Sequence, residues 1–364
     1  MASIWSLAGV SFTPMPSETA PELKAKALWF TAPRTAELRE ETVPLPGPGE
    51  VRIETTASAV SAGTEMLVYR GEVPKDLPLD LPTLEGSYAF PIKYGYAAAG
   101  RVLDTGPDVE QLFPGDPVFV HHPHQEVFVV PARMPVRLPD GLDPALGVFC
   151  ANLETALGVV HDTPLHLGET VLVLGGGVVG LLVARLLKLG GAGAVLLVDP
   201  LEKRRELALA AGADDAFGPE ALDGRVLEAT RGRGADVAVE TSGSGAALQT
   251  AIDAVATEGT VVVASWYGTK PVALYLGERF HRGRGKVRSS QVGRLNPEMG
   301  PRWDTTRRMQ TVLTLLDRLD PGDLITHRLP FHRAPEAYPL LDERMSEAVQ
   351  VVFTYGRIRE GKDV

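Results

Sequence analysis

One glycine-rich segment restricts the possible folds of this chain more than any other feature. Residues 171–200 read VLVLGGGVVGLLVARLLKLGGAGAVLLVDP, in which an apolar strand, a glycine-rich turn, an apolar helix and a second strand follow in order. Gly175 permits a tight turn, Gly177 lets the backbone approach a pyrophosphate, and Gly180 lets the helix pack against the strand. Free N–H groups and the helix dipole at the start of that helix favour phosphate anions. The segment therefore predicts a dinucleotide-binding βαβ unit.

The acidic residue at the end of the second strand bears on which dinucleotide is bound. Asp199 lies 19 residues after Gly180, where a carboxylate can bond both ribose hydroxyls and repel a 2′-phosphate, so NAD is preferred. Arg204, on the helix that follows, could instead serve a 2′-phosphate, and NADP therefore remains possible. A methyl-donor-binding fold also uses a glycine-rich first loop, but the β-rich half before the motif argues against it.

Further cofactor candidates follow two later buried strands, because ligands bind at the carboxyl ends of parallel strands. Ordinary turn chemistry accounts equally well for small polar residues at these places. From the residues alone, the predicted cofactor-binding set is Gly175, Gly176, Gly177, Val178, Val179, Gly180, Asp199, Arg204, Ser242, Gly243, Ser265 and Trp266.

The pattern of apolar residues changes near Asn152. Before it, short β-branched runs alternate with Pro/Gly turns, which is typical of a β-barrel or sandwich. After it, buried strands alternate with helices, and this indicates a doubly wound parallel sheet. A helical stretch over 305–319 and a closing strand over 348–354 indicate a mixed third part.

Several longer stretches carry a family likeness. They are LPGPGEVRIETTASAVSAGTE, YGYAAAGRVLDTGPDVEQLFPGDPVFV, EVFVVPARMPVRLPDGL and the glycine-rich segment with its acidic end. Over roughly residues 24–355, their order resembles the medium-chain dehydrogenase/reductase superfamily. The resemblance implies an α/β protein: a GroES-like β-barrel catalytic domain over 1–151, with an N-terminal extension over 1–23, and a Rossmann doubly wound parallel-sheet domain over 152–300. Residues 301–364 would return to the catalytic domain.

Many members of that superfamily hold a catalytic zinc, and this chain departs from them at the ligand positions. Ala62 stands where the family has its first cysteine, Tyr96 replaces the metal-binding histidine, and the third position falls near Ala151. The cysteine-rich lobe is also missing, since Cys150 is the only cysteine. Zinc needs three or four converging N, S or O ligands, so we expect no metal there. The chain is similar to bacteriochlorophyllide dehydrogenase-type sequences.

A cluster of His121, His122 and His124 leaves one metal question open. Histidine-rich tracts can bind metals, but neighbouring side chains on a strand point to opposite faces. We therefore do not expect a metal site at these histidines.

The resemblance also suggests residues for the chemistry. Thr64 matches a family residue that relays a proton, although it could simply bond the backbone. The Tyr96 phenol could donate a hydrogen bond to a carbonyl group, or it could fill the space of the missing histidine. Glu154 could be a base, a substrate contact or a carboxylate at a helix start; the last reading is favoured. Thr155 matches a residue that lies against the nicotinamide. The predicted catalytic residues are Thr64, Tyr96 and Glu154.

The function expected from these residues is a zinc-independent, NAD(H)-dependent oxidoreductase that interconverts an alcohol and its carbonyl compound. One alternative is an NADPH-dependent reductase of quinones or enones. Another, of a different class, is a dinucleotide-binding protein without catalysis. The substrate would be a small molecule, and no motif identifies it. The resemblance implies a homodimer or homotetramer.

Composition and charge exclude other roles. The formal net charge of −10 disfavours a nucleic-acid partner. No apolar run suits a membrane span, and a single cysteine fits a reducing, cytoplasmic setting. A basic run over 278–294, followed by Arg302, Arg307 and Arg308, would either recognise an anionic substrate or form an exposed, subunit-contacting surface; the latter is favoured.

Overall fold

The computed structural model describes residues 23–79, 81, 83–343 and 348–356. Its first part is rich in strands because short β-branched runs are separated by Pro and Gly turns. The elements of this part are β1 (Leu23–Ala32), β2 (Thr35–Val43), β3 (Glu50–Ala59), α1 (Thr64–Arg70), β4 (Ala98–Thr105), β5 (Pro117–Val120), β6 (Val127–Pro131) and β7 (Val136–Arg137).

The second part alternates helices and strands. Its elements are α2 (Pro144–Gly147), α3 (Phe149–Asp162), β8 (Thr170–Leu174), α4 (Val178–Leu189), β9 (Ala194–Val198), α5 (Glu202–Ala210), β10 (Asp215–Phe217), α6 (Leu222–Ala229), β11 (Ala235–Glu240), α7 (Gly245–Ala254), β12 (Val255–Val263), α8 (Arg279–Arg282) and β13 (Lys286–Ser289). The last part contains α9 (Thr305–Leu319), β14 (Ile325–Pro330), α10 (Ala337–Glu343) and β15 (Gln350–Thr354).

The nucleotide-type sheet is fully parallel. Its strand order is β10-β9-β8-β11-β12-β13, and it is doubly wound around β8. Every residue of β8 is buried, because helices cover both faces of such a sheet. α4 is accordingly apolar on most of its surface. This sheet, with its helices, confirms the expected Rossmann domain.

The catalytic-type sheet joins distant parts of the chain. Among the described residues seven strands form it, in the order β14-β15-β3-β4-β5-β7 with β6 paired to β3. β15 pairs antiparallel with β3, so the end of the chain completes the domain that its beginning started. The α/β class with two sheet domains is therefore confirmed. The β1–β2 hairpin and α1 were not anticipated.

The expected domain limits remain predictions. α3 runs through the boundary placed at 151/152, and α9, which lies beyond the boundary placed at 300/301, packs against α3. The expected extension over 1–23 lies outside the described residues except for Leu23, where β1 begins. In the part of the chain that the structure describes, none of the helices is sufficiently long and apolar for a membrane span.

Candidate active site

The glycine-rich turn between β8 and α4 leaves one side open for a ligand. Gly175 has a φ of +107°, and a Cβ there would lie 2.9 Å from the Ser242 nitrogen. A Cβ on Gly180 would lie 1.9 Å from the Gly175 oxygen, so helix and strand approach too closely for a side chain. Among the described residues, nothing lies within 4 Å of a Cβ on Gly177. Gly177 also caps α4 without a side-chain hydrogen bond, and Val178 and Val179 form the first turn. This open helix start fits a phosphate group.

Asp199 closes the glycine turn from the end of β9. Its Oδ2 accepts a hydrogen bond from the Gly176 nitrogen at 2.7 Å, and its Oδ1 accepts one from the Leu201 nitrogen at 2.8 Å. The side chain is only 3% exposed. The Arg204 Nη1 lies 3.6 Å from Oδ2, and the Arg204 Nη2 donates to the Ala348 oxygen at 3.2 Å. The structure thus places Asp199 and Arg204 together, and their roles toward a ribose stay predictions.

A buried carboxylate that the sequence analysis did not select organises the next strand ends. Glu240, at the end of β11, is fully buried. Its Oε1 accepts hydrogen bonds from the Ser242 and Gly243 nitrogens at 2.6 and 2.9 Å. The Gly243 nitrogen also lies 2.8 Å from the Ser265 Oγ, so the structure brings these three candidates together. The Tyr267 hydroxyl donates to Glu240 Oε2 at 3.0 Å, and burial followed by this carboxylate raises the pKa of Tyr267.

Trp266 follows β12, and its side chain points toward the tyrosines of the catalytic-type domain. Its side chain is partly exposed, and its ring centroid lies 5.7 Å from that of Tyr88. Tyr88, Tyr94 and Tyr96 continue the row, with centroid separations of 5.5 and 6.2 Å. Trp266 therefore packs against the catalytic domain, and its contact with a cofactor stays a prediction.

Two of the predicted catalytic residues lie side by side. The Tyr96 Oη is 2.5 Å from the Ser61 Oγ and 3.3 Å from the Thr64 Oγ1. Ser61 follows β3, whereas Thr64 begins α1. Burial, followed by the nearby Glu65 carboxylate, raises the pKa of Tyr96 despite the two hydroxyl contacts, which lower it. Tyr96 is therefore a neutral phenol, which can donate a hydrogen bond.

A buried carboxylate, that of Glu65, stabilises the loop next to Tyr96 and Thr64. Glu65 is fully buried, and its Oε1 accepts a hydrogen bond from the Ser61 nitrogen at 2.8 Å. Its Oε2 accepts one from the Tyr338 hydroxyl at 2.7 Å and lies 3.0 Å from the His124 Nε2. The His124 Nδ1 lies 2.6 Å from the Ser58 Oγ. This network joins β3, α1 and α10, and it fixes the loop that carries Ser61.

The third predicted catalytic residue has a role different from the one favoured. Glu154 does not begin its helix, because α3 begins at Phe149 and has no acidic residue in its first turn; the helix-start reading is wrong. Instead, the Glu154 Oε1 accepts hydrogen bonds from Arg308 Nη2 and Nε at 2.6 and 3.0 Å. The Glu154 Oε2 lies 3.1 Å from the His121 Nε2. Burial alone would raise the pKa of Glu154, but His121 and Arg308 outweigh it and lower the pKa.

Arg308 is thus a site residue that the sequence analysis placed on an exposed surface. It is 5% exposed. One signal was present: Arg308, Val312 and Leu316 recur every four residues and form the buried face of α9. Thr155, next to Glu154, uses its hydroxyl to bond the Ala151 oxygen at 3.0 Å.

The three neighbouring histidines turn to three different partners. His121 meets Glu154, and His124 meets Glu65. His122 stacks on Phe128 at 3.5 Å, and burial lowers its pKa to about 3. Among the described residues, no group of three or more His, Cys, Asp and Glu side chains converges in a way that could hold a metal. Cys150 is fully buried, and burial raises the pKa of its thiol.

Comparisons with known proteins identify the family. A family profile described as zinc-binding dehydrogenase matches residues 178–309. The chain is 30% identical to the D-guloside 3-dehydrogenase of Escherichia coli K12, over 91% of this chain and 100% of that protein. This chain belongs to the medium-chain dehydrogenase/reductase superfamily. It is also 28% identical to the 2-desacetyl-2-hydroxyethyl bacteriochlorophyllide A dehydrogenase of Cereibacter sphaeroides, over 87% of this chain and 94% of that protein.

Solved structures of other proteins share the fold. One is a protein assigned as a zinc-binding dehydrogenase of Sinorhizobium meliloti 1021, bound to NADP, with a TM-score of 0.73, 23% identity, and coverage of 92% of this chain and 100% of that chain. Another, described as a short chain alcohol dehydrogenase of Escherichia coli CFT073 and complexed with NADH, has a TM-score of 0.74, 20% identity, and coverage of 91% of this chain and 99% of that chain. With the dehydrogenase relatives, the membership makes this chain an NAD(P)-dependent oxidoreductase of the medium-chain superfamily.

Proposed function

We propose that this enzyme interconverts an alcohol and its carbonyl compound by hydride transfer, with NAD(H) as its preferred cofactor and without a catalytic zinc. The position of the Tyr96 hydroxyl carries the proposal. It stands where the superfamily has a metal-binding histidine, and it lies against the Ser61 and Thr64 hydroxyls. A protein hydroxyl is therefore available where a metal would otherwise polarise the substrate oxygen.

The chemistry of the donor set supports zinc independence. Ala62 and Ala151 offer no donor atom at two of the three ligand positions. A metal binds tyrosine as phenolate, whereas burial raises the pKa of Tyr96 and disfavours that form. A tetrahedral zinc site needs three or four such ligands. The residues at these positions do not fit one, so no step is assigned to a metal.

The open start of α4 supports the cofactor. A pyrophosphate would approach the backbone at Gly177, where a Cβ would meet nothing among the described residues within 4 Å. The Asp199 carboxylate supports NAD over NADP, because a 2′-phosphate next to it would be repelled. Arg204 favours NADP instead, because a guanidinium can bind a 2′-phosphate and this one lies 3.6 Å from the Asp199 carboxylate.

The protein's part in the reaction is to manage the substrate oxygen. When bound, the nicotinamide supplies or accepts the hydride. In the reducing direction, Tyr96 donates a hydrogen bond to the carbonyl oxygen, where negative charge develops, and then its proton. The Thr64 hydroxyl, 3.3 Å from Tyr96 Oη, exchanges protons with that phenol. In the oxidising direction, the alcohol proton passes to the Tyr96 oxygen while Tyr96 passes its own proton to Thr64, and solvent is the final acceptor, as it is the proton source in the reducing direction.

A cofactor titration combined with a substrate panel tests the proposal. The protein is titrated with NADH and with NADPH while nicotinamide fluorescence is followed, and metal content is measured on the same sample. The panel contains simple secondary alcohols, glycosides, since one relative is named for a guloside, and quinones and enones. We expect tighter NADH binding, alcohol oxidation, and activity that survives treatment with a chelator. Preference for NADPH with quinone turnover would favour the reductase alternative. Binding without any turnover would favour the non-catalytic one.

A further inference from the structure

His121 is the one histidine of the 121–124 cluster that is not buried. Its side chain is 29% exposed, whereas that of His124 is 0% exposed and residue His122 is 7% exposed. It follows β5, and its ring packs edge-on against Phe119, with centroids 4.8 Å apart. It lies between Tyr96 and Glu154, two residues predicted to be catalytic.

Both ring nitrogens of His121 are already engaged. The Nδ1 lies 3.2 Å from the main-chain oxygen of Tyr96, and the Nε2 lies 3.1 Å from the Glu154 Oε2. A carbonyl oxygen and a carboxylate oxygen can only accept hydrogen bonds. The two bonds therefore coexist when both ring nitrogens carry hydrogen. No nitrogen is left to face a substrate, which argues against His121 as the base of the reaction.

At the Glu154 side of His121, Arg308 holds the carboxylate in place. Arg308 holds the Glu154 carboxylate with two hydrogen bonds and donates a third to the Val292 oxygen at 2.6 Å. Both bonds to Glu154 end on the same carboxylate oxygen, Oε1, and charge-assisted hydrogen bonds are stronger than neutral ones. His121 therefore connects the Tyr96 main chain to α3 and α9, which belong to a different part of the molecule.

On its other side, His121 contacts Tyr96, the residue on which the proposed chemistry depends. The Tyr96 side chain is held at its hydroxyl by Ser61 and Thr64. Its main chain follows Gly95, whose φ is +130° and whose Cβ would lie 2.9 Å from the His124 ring. A glycine gives the backbone more freedom there than another residue would. The Tyr96 carbonyl belongs to the next peptide, between Tyr96 and Ala97, so a hydrogen bond to it restrains the backbone on the side of Tyr96 opposite this glycine.

We propose that His121 is a positioning residue for the reaction: anchored by Glu154 and Arg308, it holds the Tyr96 main chain and so sets the place of the Tyr96 hydroxyl. This proposal rests on the proposed function of Tyr96. A displacement of about 1 Å in a reacting group can cost on the order of 100-fold in rate, so a residue that touches no substrate can still be needed for turnover.

Three variants separate the hydrogen bond from the ring. His121→Phe keeps an aromatic ring against Phe119 and loses both bonds. His121→Gln loses the ring but keeps an amide donor for the Tyr96 oxygen. His122→Phe is the matched control, because His122 is the adjacent histidine, stacks on Phe128 and bonds the Pro123 oxygen.

The first readout needs neither substrate nor cofactor. Tyrosine is labelled with ¹³C at Cζ, and the Tyr96 signal among the eight tyrosines is assigned with Tyr96→Phe. We expect the signal to move in His121→Phe and to stay near its native position in His121→Gln and His122→Phe. A native-like signal in His121→Phe, or equal displacement in both His121 variants, overturns the proposal.

The second readout uses the alcohol found in the substrate panel. We expect kcat in His121→Phe to fall on the order of 10- to 100-fold, while the Kd for NADH changes less than about twofold. His121→Gln should recover most of kcat, and His122→Phe should be native-like. An unchanged kcat in His121→Phe overturns the proposal. If the native protein oxidises no alcohol, the proposed function fails, and the tyrosine signal still decides whether His121 positions Tyr96.

Discussion

Arg308 donates two hydrogen bonds to the Glu154 carboxylate, from Nη2 at 2.6 Å and from Nε at 3.0 Å. Both side chains are less than a tenth exposed. The two residues lie 154 positions apart in sequence, on α9 and α3. The pair ties the helix at the domain junction to the last part of the chain. Because Glu154 also reaches His121, a single ion pair links the structural junction to the candidate active site.

Loss of Arg308 should destabilise the fold strongly. Arg308→Met removes two hydrogen bonds from the buried Glu154 carboxylate, which keeps His121 beside it, and breaking a buried pair in this way costs about 3–5 kcal/mol. Denaturant unfolding measures the change. Arg318→Met is the control, since Arg318 lies on the same helix and is exposed; it should change the free energy of unfolding by less than about 0.5 kcal/mol. Equal effects of the two variants would contradict a special role of this pair.

Stability should depend on pH through Glu154. The pKa of Glu154 is lower in the folded chain than its ordinary value of 4.5. Its ionised form therefore stabilises the fold above that value, and the contribution is lost as pH falls below it. We expect the native protein to unfold with a larger free energy than Glu154→Gln at pH 7, and the difference to shrink as pH drops below about 4. In an Arg308→Met background the pH dependence of this difference should be weaker; an unchanged one would contradict the assignment.

Tyr96→Phe tests the proposed proton donor. Removing the phenol should lower kcat on the order of 10²- to 10⁴-fold, the range for a lost general acid, while NADH binding stays unchanged. Tyr94→Phe is the control, because Tyr94 is a buried neighbour in the same tyrosine row and its hydroxyl lies 3.3 Å from the Tyr88 hydroxyl. Steady-state kinetics and fluorescence titration separate the two effects. Full activity in Tyr96→Phe would remove Tyr96 from the mechanism.

Two glycine substitutions should affect different properties: Gly177→Ala should weaken NADH binding, and Gly180→Ala should lower stability. Gly177→Ala meets no described atom within 4 Å and keeps an ordinary φ of −71°, so stability should change little, whereas NADH binding should weaken because the methyl group faces the phosphates. Gly180→Ala places a Cβ 1.9 Å from the Gly175 oxygen and should cost about 1–3 kcal/mol of stability. Unfolding curves and NADH titrations on both variants check this. Native-like NADH binding in Gly177→Ala would contradict the phosphate site.

Asp199→Asn tests the choice of cofactor. Loss of the charge should weaken NADH binding about tenfold, the value of one charge-assisted hydrogen bond, and NADPH binding should suffer less because a repulsion disappears. Arg204→Ala should shift the preference the other way. Parallel titrations with NADH and NADPH give both ratios. If Asp199→Asn binds NADH as tightly as the native protein, Asp199 does not bind the ribose.

The local sequence determined the nucleotide-binding half of the fold closely. The predicted helix over 305–319 has the bounds that the structure shows, and the order of strand, turn, helix and strand predicted within residues 171–200 appears as β8, α4 and β9. Their signals are local, because apolar periodicity and glycines at a turn act within one or two turns of chain. The family resemblance likewise led to the two-domain class.

Only the tertiary structure decided which polar side chains meet. Tyr338 reaches Glu65 across 273 positions, and Arg308 reaches Glu154 across 154. No local pattern encodes such pairs, because a buried carboxylate finds its partner only after sheets and helices have packed. Thr64, Tyr96 and Glu154 could be selected from sequence as individual candidates. Their connection through His121 could not, because it depends on where β5, α3 and α9 come together in space.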